Sequence, residues 1–337
     1  MEACIRYLRD LLDRLFAADR PGPLVEALRQ ISEGTDASVW LADAMRPGIV
    51  AHSERLLDEV EKRGSRSCDL MADYAYQLPI RVICDLLGIE QDGHQEFIEL
   101  ASKLTRRETG SSFAEFGTAL QDIGRYAVGL IVRKRKTLGD DLLSTLIAVR
   151  DEDDTQLSNE ELVSTVILLL MAGYESTAVQ LGNAFFALFR NPDQLARLRA
   201  EPDLIENAVT EILRWAQMGT GYAVAKYATA DITLSGVTIP SGASVFVSLA
   251  SANRDEAVFG ADSEVLDLGR ACAHRQVAFS HGPHYCLGAA LARLEMQEGI
   301  SRLFARFPGL RFDGDLDKVI LASNLFTYYP SELAVAW

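Results

Sequence analysis

The sequence predicts a mainly α fold with small β-sheets near its C-terminal end. Apolar residues recur at three- and four-residue spacing through most of the first 215 positions, the signature of amphipathic helices. Ser158 followed by Glu161 forms a capping box, and an apolar helical pattern runs from it to about residue 190. Alternating stretches broken by Gly and Pro are concentrated in "YATADITLSGVTIPSGASVFVS" and in the closing "SELAVAW".

Composition sets the frame for these elements. The chain has 337 residues, 48% of them hydrophobic and 24% charged, which suits one large domain spanning 1–337. A formal charge of −15 argues against a nucleic-acid surface, which needs a concentrated basic face. The N-terminal "MEACIRYLRDLLDRLF" carries charges throughout its apolar pattern, unlike a secretory leader. The run "VILLLMAG" is far shorter than the roughly 20 apolar residues of a membrane helix. The expectation is a soluble, cytoplasmic protein.

In chain order, 1–17 and 22–33 read as short amphipathic helices. "AMRPGIVAHSERLLDEVEKRG" reads as another that stops at Gly64, and "DLMADYAYQLPIRVICDLLGI" as a helical stretch broken at Pro79. A longer helix is expected over 113–136, followed by the acidic loop "RDEDDTQ". From Ser158 to about Arg190 an unbroken helix would span about 50 Å. Its middle, "LVSTVILLLMAG", is apolar all round and so is expected to be buried all round. Gly173 inside such a helix costs about 1 kcal/mol relative to Ala. It marks either a tight helix crossing or a place where something bulky approaches the backbone at Ala172 and Gly173. Glu175, a carboxylate mid-way along a buried helix, needs a partner or a function. Two further helices fill "NPDQLARLRAEPDLIENAVTEILRW", then come the short strands, the stretch "FSHGPHYCLG" and the helix "LGAALARLEMQEGISRLFARF".

The five cysteines, Cys4, Cys68, Cys84, Cys272 and Cys286, are scattered and never in C-x-x-C spacing, so neither a disulfide framework nor a structural zinc site is supported. Cys84 reads as a small buried hydrophobe. Cys286 is different. It stands just before a helix, where the dipole and unpaired amides favour a thiolate. A thiolate there serves as a nucleophile, with His281 or His284 as base, or as a metal ligand. Phe279, which would shield the sulfur, and Gly282 and Gly288, which let a planar group lie close, suit the ligand better.

With these residues in place, "FSHGPHYCLG" resembles the heme-ligand loop of the cytochrome P-450 family, F-x-x-G-x-H-x-C-x-G, at every specified position. Glu211 and Arg214 in "EILR" look like the family's E-x-x-R pair, and "AGYEST" resembles its oxygen-side helix motif. The resemblance is to the soluble bacterial members and covers roughly residues 17–337. It implies a P-450 fold, with heme b (iron protoporphyrin IX) held between the long helix and the cysteine loop. Cys286 would be the axial metal ligand. Ala172 and Gly173 would leave room for oxygen and substrate. Glu175 and Ser176, with Thr177 next, would relay protons. Phe279, His284 and Gly288 would line the heme.

Three departures from the pattern follow. The alcohol after the acid is Ser176, followed by Thr177, where the family has threonine. Lys226 stands at the usual arginine position for a heme propionate, keeping the charge without the bidentate fork. In "VEALR", Val25 replaces the family's histidine and Arg29 keeps its arginine. The chain begins close to that segment, so the usual N-terminal helix and much of the larger β-sheet are expected to be missing. That leaves the strands around "GVTIPSGASVFVS" as open edges and favours a homodimer or a protein partner.

The activity implied is a heme-thiolate monooxygenase acting on a small apolar or amphipathic metabolite. Electrons would come from a ferredoxin and its reductase, docked on a basic patch of Arg275, Arg293 and Arg302. A rival reading is a P-450-like auxiliary protein that stabilises a glycosyltransferase without catalysis. A cysteine hydrolase using Cys286 and His284 leaves the acidic helix unexplained.

Overall fold

Residues 37–105, 113–152, 157–219, 226–282, 285–323 and 327–337 are described by the computed structural model. The expected helices over 1–17 and 22–33, together with Cys4, Val25, Arg29 and His284, lie outside them. The first described element, α1 (Ala37–Lys62), ends two residues before Gly64, whose φ of 72° turns the chain. Strand β1 (Ser67–Asp69) follows, then a π-helical turn over Met71–Ala75. This turn, closed by the Tyr76 N–H on the Met71 carbonyl, is what breaks the helical stretch. Pro79 does not break it. It lies in the first turn of α2 (Gln77–Leu86), where a missing N–H costs nothing.

The helical body continues with α3 (Gln91–Thr105), α4 (Phe113–Lys134) and α5 (Leu142–Glu152). The capping box is present as read. The Glu161 N–H donates to Ser158 Oγ at 3.2 Å and the Ser158 N–H donates to Glu161 Oε2 at 2.9 Å. The long helix it opens is not continuous. It forms α6 (Asn159–Ala172) and α7 (Glu175–Arg190), separated at Gly173 and Tyr174. The stretch 159–190 is long and apolar enough to cross a membrane by length and composition. In this fold α7 runs through the core against the π-turn, α2, α9 (Ile205–Trp215), α12 (Ala289–Arg306) and β8 (Tyr328–Pro330), with α8 (Pro192–Ala200) folded back beside it.

Strands β2 (Lys226–Tyr227) and β5 (Ser244–Val245) pair antiparallel, as do β3 (Ile232–Leu234) and β4 (Val237–Ile239). Two short helices, α10 (Leu249–Ala252) and α11 (Glu256–Phe259), lead towards the cysteine loop. After α12 come β6 (Arg311–Phe312), β7 (Leu321–Ser323), β8 and β9 (Ala334–Ala336). The expected C-terminal strand, β9, is the centre of a three-stranded sheet between β1 and β6, so the chain end is tied to the strand at 67–69.

Two apolar clusters fill the interior. The larger packs α1, α7, α9 and α12 around Leu56, Phe185, Ile212 and Ile300; the smaller joins α2, α4, α5 and α6 around Ile83, Ala127, Leu146 and Val166. Leu291, in the first turn of α12, is partly buried against both. The cysteine loop therefore enters the fold at the seam between the two halves of the core.

Candidate heme-thiolate site

The cysteine loop is held by its own backbone. The Cys286 N–H donates to the Phe279 carbonyl at 3.0 Å and the Tyr285 N–H to the Gly282 carbonyl at 2.9 Å. Ser280 (φ 68°) and Gly282 (φ 76°) supply the left-handed turns that such a tight return requires. Gly288 is the N-cap of α12, with no side chain to satisfy the helix amides. The Phe279 and Tyr285 rings lean together at 6.4 Å. Arg293 sits 4.5 Å over the Phe279 ring and donates to the Tyr285 hydroxyl at 3.0 Å, clamping the loop onto α12.

Cys286 faces solvent on one side and protein on the others. Desolvation pushes its thiol pKa up, against the Gly288 amide and the Arg293 charge, which pull it down. The pull expected from the helix start is present in the Gly288 amide, and burial opposes it. Cys84 is buried, and its thiol is pushed up to about 12, as fits an inert core residue.

Opposite in sequence role is the α6–α7 break. Tyr174 leaves helical geometry (φ −129°, ψ −44°), and Ser176 Oγ donates to the Ala172 carbonyl at 3.2 Å. Glu175 is therefore not mid-helix. It stands half-buried in the first turn of α7, where the dipole favours a carboxylate. Thr177, one residue on, is buried. A Cβ on Gly173 would lie 2.5 Å from Ile83 Cδ1 and 2.6 Å from the Leu169 carbonyl oxygen. Close packing against α2 thus accounts for this glycine, whereas Ala172 beside it is exposed.

Behind the loop, Glu211 and Arg214 form a buried pair, both side chains fully inaccessible. Arg214 Nε and Nη2 each donate to one Glu211 carboxylate oxygen at 2.7 Å. Sequence reading missed a third member, Arg270, whose Nε donates to Glu211 Oε1 at 3.1 Å. A lone arginine 59 residues away carries no pattern that signals this. Two of the three arginines expected to form a docking patch are engaged elsewhere: Arg293 in the loop clamp, and Arg302 with Glu54 and Glu298. Arg275 is exposed.

The residues present fit a flat iron-bearing ring. Among the described residues, a Cβ added at Gly282 or Gly288 would meet nothing within 4 Å, so the space beside these two glycines is open. The helices bearing the two motifs, α7 and α12, pack directly on each other. Lys226 is exposed at the start of β2.

The cytochrome P-450 family model matches residues 22–319. The chain belongs to the cytochrome P-450 family. It is 38% identical over 298 residues to the mycinamicin IV hydroxylase/epoxidase of Micromonospora griseorubida, a match covering 88% of this chain and 73% of the relative. It is 36% identical over 288 residues to the 6-deoxyerythronolide B hydroxylase of Saccharopolyspora erythraea, covering 86% and 70%. Among solved structures it superposes on the LnmA cytochrome P-450 hydroxylase from leinamycin biosynthesis in Streptomyces atroolivaceus. That match has a TM-score of 0.83 and 35% identity, and covers 98% of this chain and 78% of that one. This P-450 is an oxidoreductase of the monooxygenase class, and its family implies a heme-thiolate cofactor and a small-molecule substrate.

Proposed function

We propose that this P-450 oxidises a small apolar or amphipathic secondary metabolite, using heme b held through Cys286 and electrons from a ferredoxin and its reductase in the cytoplasm. The observation that carries the reading is the Cys286 loop. A solvent-facing thiol stands at a helix start, clamped by Arg293, with open space beside Gly282 and Gly288. When bound, the heme supplies oxygen activation, which a thiolate ligand promotes by pushing electron density onto the iron.

The chain's own residues then have distinct tasks. Cys286 would hold the heme iron as a thiolate, its proton released on ligation. Glu175 and Ser176 pass protons towards the oxygen side at the α6–α7 break. The Ser176 hydroxyl starts from a bond to the Ala172 carbonyl, and rotating away from it frees the hydroxyl to donate inward. The exposed methyl of Ala172 leaves the backbone open to a small ligand. Lys226 and His284 provide cationic or donor contacts to the heme propionates, and Phe279 and Gly288 line the ring. The names of the relatives, a mycinamicin IV hydroxylase/epoxidase and a 6-deoxyerythronolide B hydroxylase, support hydroxylation or epoxidation of such a metabolite.

The test is turnover under isotopic oxygen. The heme-loaded protein, supplied with a [2Fe–2S] ferredoxin, its reductase and a panel of secondary metabolites that includes mycinamicin IV and 6-deoxyerythronolide B, should release product carrying one atom from labelled O2. Heme reduction without oxygen uptake or labelled product across the panel would contradict a catalytic role.

A further inference from the structure

Ser176, Gln180 and Asn183 stand four and three residues apart on α7, so they follow one another along a single helix face. Ser176 is half-buried at the α6–α7 break, whereas Gln180 and Asn183 lie deeper and are buried. A side-chain amide in a helix core destabilises the fold unless it is hydrogen-bonded. Both of these are, and both reach off the helix. Gln180 Nε2 donates to the Ala216 carbonyl at 2.9 Å, and Asn183 Nδ2 donates to the Tyr328 carbonyl at 2.9 Å. The two acceptors belong to segments distant in sequence that also meet each other. The Tyr328 N–H donates to the Met218 carbonyl at 2.7 Å, and Gly219 faces Thr327 in an antiparallel bridge. Among the described residues that bridge is isolated, and β8 otherwise belongs to a two-stranded sheet with β7. Such small ribbons are marginal by themselves, so the buried amides of α7 set where this one lies.

Its place bears on the chemistry. Gln180 is one turn, about 5.4 Å, along α7 from Ser176, so the segment 216–219 passes close to the residues assigned to proton delivery. The surface there is not core: Met218 is half-buried, Gly219 exposed and Tyr328 45% exposed. Ala172, across the break, is exposed as well. We propose that Gln180 and Asn183 are positioning residues for the substrate. By holding 216–219 and 327–328 against the deeper turns of α7, they keep the space in front of Ser176 open and set how large a molecule reaches it. With either amide gone, the apolar surfaces of Met218 and Tyr328 are free to move into that space, driven by their removal from water. The inference rests on the reading of Ser176 as facing a bound heme, and the experiment separates the two.

The heme-loaded full chain is titrated with imidazole and with 4-phenylimidazole, two heme-iron ligands that differ only in bulk, and the Soret shift is followed. In Gln180→Met and Asn183→Leu, imidazole should bind within about twofold of wild type while 4-phenylimidazole weakens at least about fivefold. Asn191→Leu is the control, since it removes an amide of the same region that donates only back to Ala187 of α7, at 2.8 Å. It should leave the ratio of the two dissociation constants unchanged. Hydrogen exchange at the Tyr328 amide, read by fragmentation mass spectrometry, should quicken at least about tenfold in Asn183→Leu, and it reports even if the variant binds heme poorly. An unchanged Tyr328 amide overturns the proposal. So does equal weakening of both ligands, which marks a merely structural role, or an unchanged ratio in both variants. A wild-type chain whose Soret band ignores imidazole overturns the heme reading itself, and this proposal with it.

Discussion

Replacing Arg214 with methionine removes a guanidinium whose nitrogens make five hydrogen bonds in a fully buried site. They run to the two Glu211 oxygens at 2.7 Å and to the carbonyls of Asn253, Ser263 and Val265 at 2.8, 2.7 and 3.1 Å. Not all five acceptors are orphaned. Arg270 already donates to Glu211 Oε1 and to the Val265 carbonyl, both at 3.1 Å. Three are left without a donor: Glu211 Oε2 and the carbonyls of Asn253 and Ser263. At about 1–3 kcal/mol for each of the three orphaned buried acceptors the loss comes to about 3–9 kcal/mol, a range that contains the about 3–5 kcal/mol of a broken buried ion pair. That is a large share of the total stability of about 5–15 kcal/mol. Urea unfolding followed by far-UV circular dichroism measures it, with an unchanged slope showing that the denatured state is the same. Arg214→Lys should fall between wild type and Arg214→Met, because an ammonium recovers some acceptors but not the bidentate fork. A loss under about 1 kcal/mol for Arg214→Met would refute the reasoning, since three buried acceptors cannot then be unpaired.

Gly173→Ala should lose about 1–3 kcal/mol rather than gain helix propensity, because its Cβ meets Ile83 and a backbone carbonyl that cannot move aside. Ile83→Val in the same chain should recover only part of that in urea titrations. Glu175→Gln and Ser176→Ala should keep the heme but divert reducing equivalents to peroxide, read as peroxide formed per NAD(P)H consumed; wild-type coupling in both removes the relay. Glu295 is wholly buried with Oε2 unpartnered, and desolvation raises its pKa well above the ordinary 4.5. The folded state therefore keeps a proton that the unfolded chain loses above about pH 4.5, and stability falls as pH rises through that window by up to about 1.4 kcal/mol per unit. Glu295→Gln should flatten this slope between pH 5 and 8, and an unchanged slope contradicts it.

The two ends of legibility can be placed on particular residues. The capping box at Ser158 and the Glu211–Arg214 spacing are local patterns, each written within a few positions, and both fold as read. The strands at 232–239 are legible as alternation broken by Gly and Pro. The break at Gly173 is not, because periodicity runs in phase on both sides of it. The break falls at Tyr174, whose backbone leaves helical geometry. Arg270 joining Glu211, β9 pairing with β1, and Arg293 over Phe279 depend on tertiary neighbours. The desolvation that opposes the helix-start pull on Cys286 is not legible either, because it is set by the surrounding fold.

The central claim is that Cys286 ligates a heme iron, and the absorption spectrum of the dithionite-reduced protein under carbon monoxide tests it most directly. The wild-type chain should show the red-shifted Soret band of a thiolate-ligated ferrous carbonyl. Cys286→Ser should lose that band, whereas Cys84→Ser and Cys272→Ser retain it. A Cys286→Ser protein with an unchanged band would contradict the account.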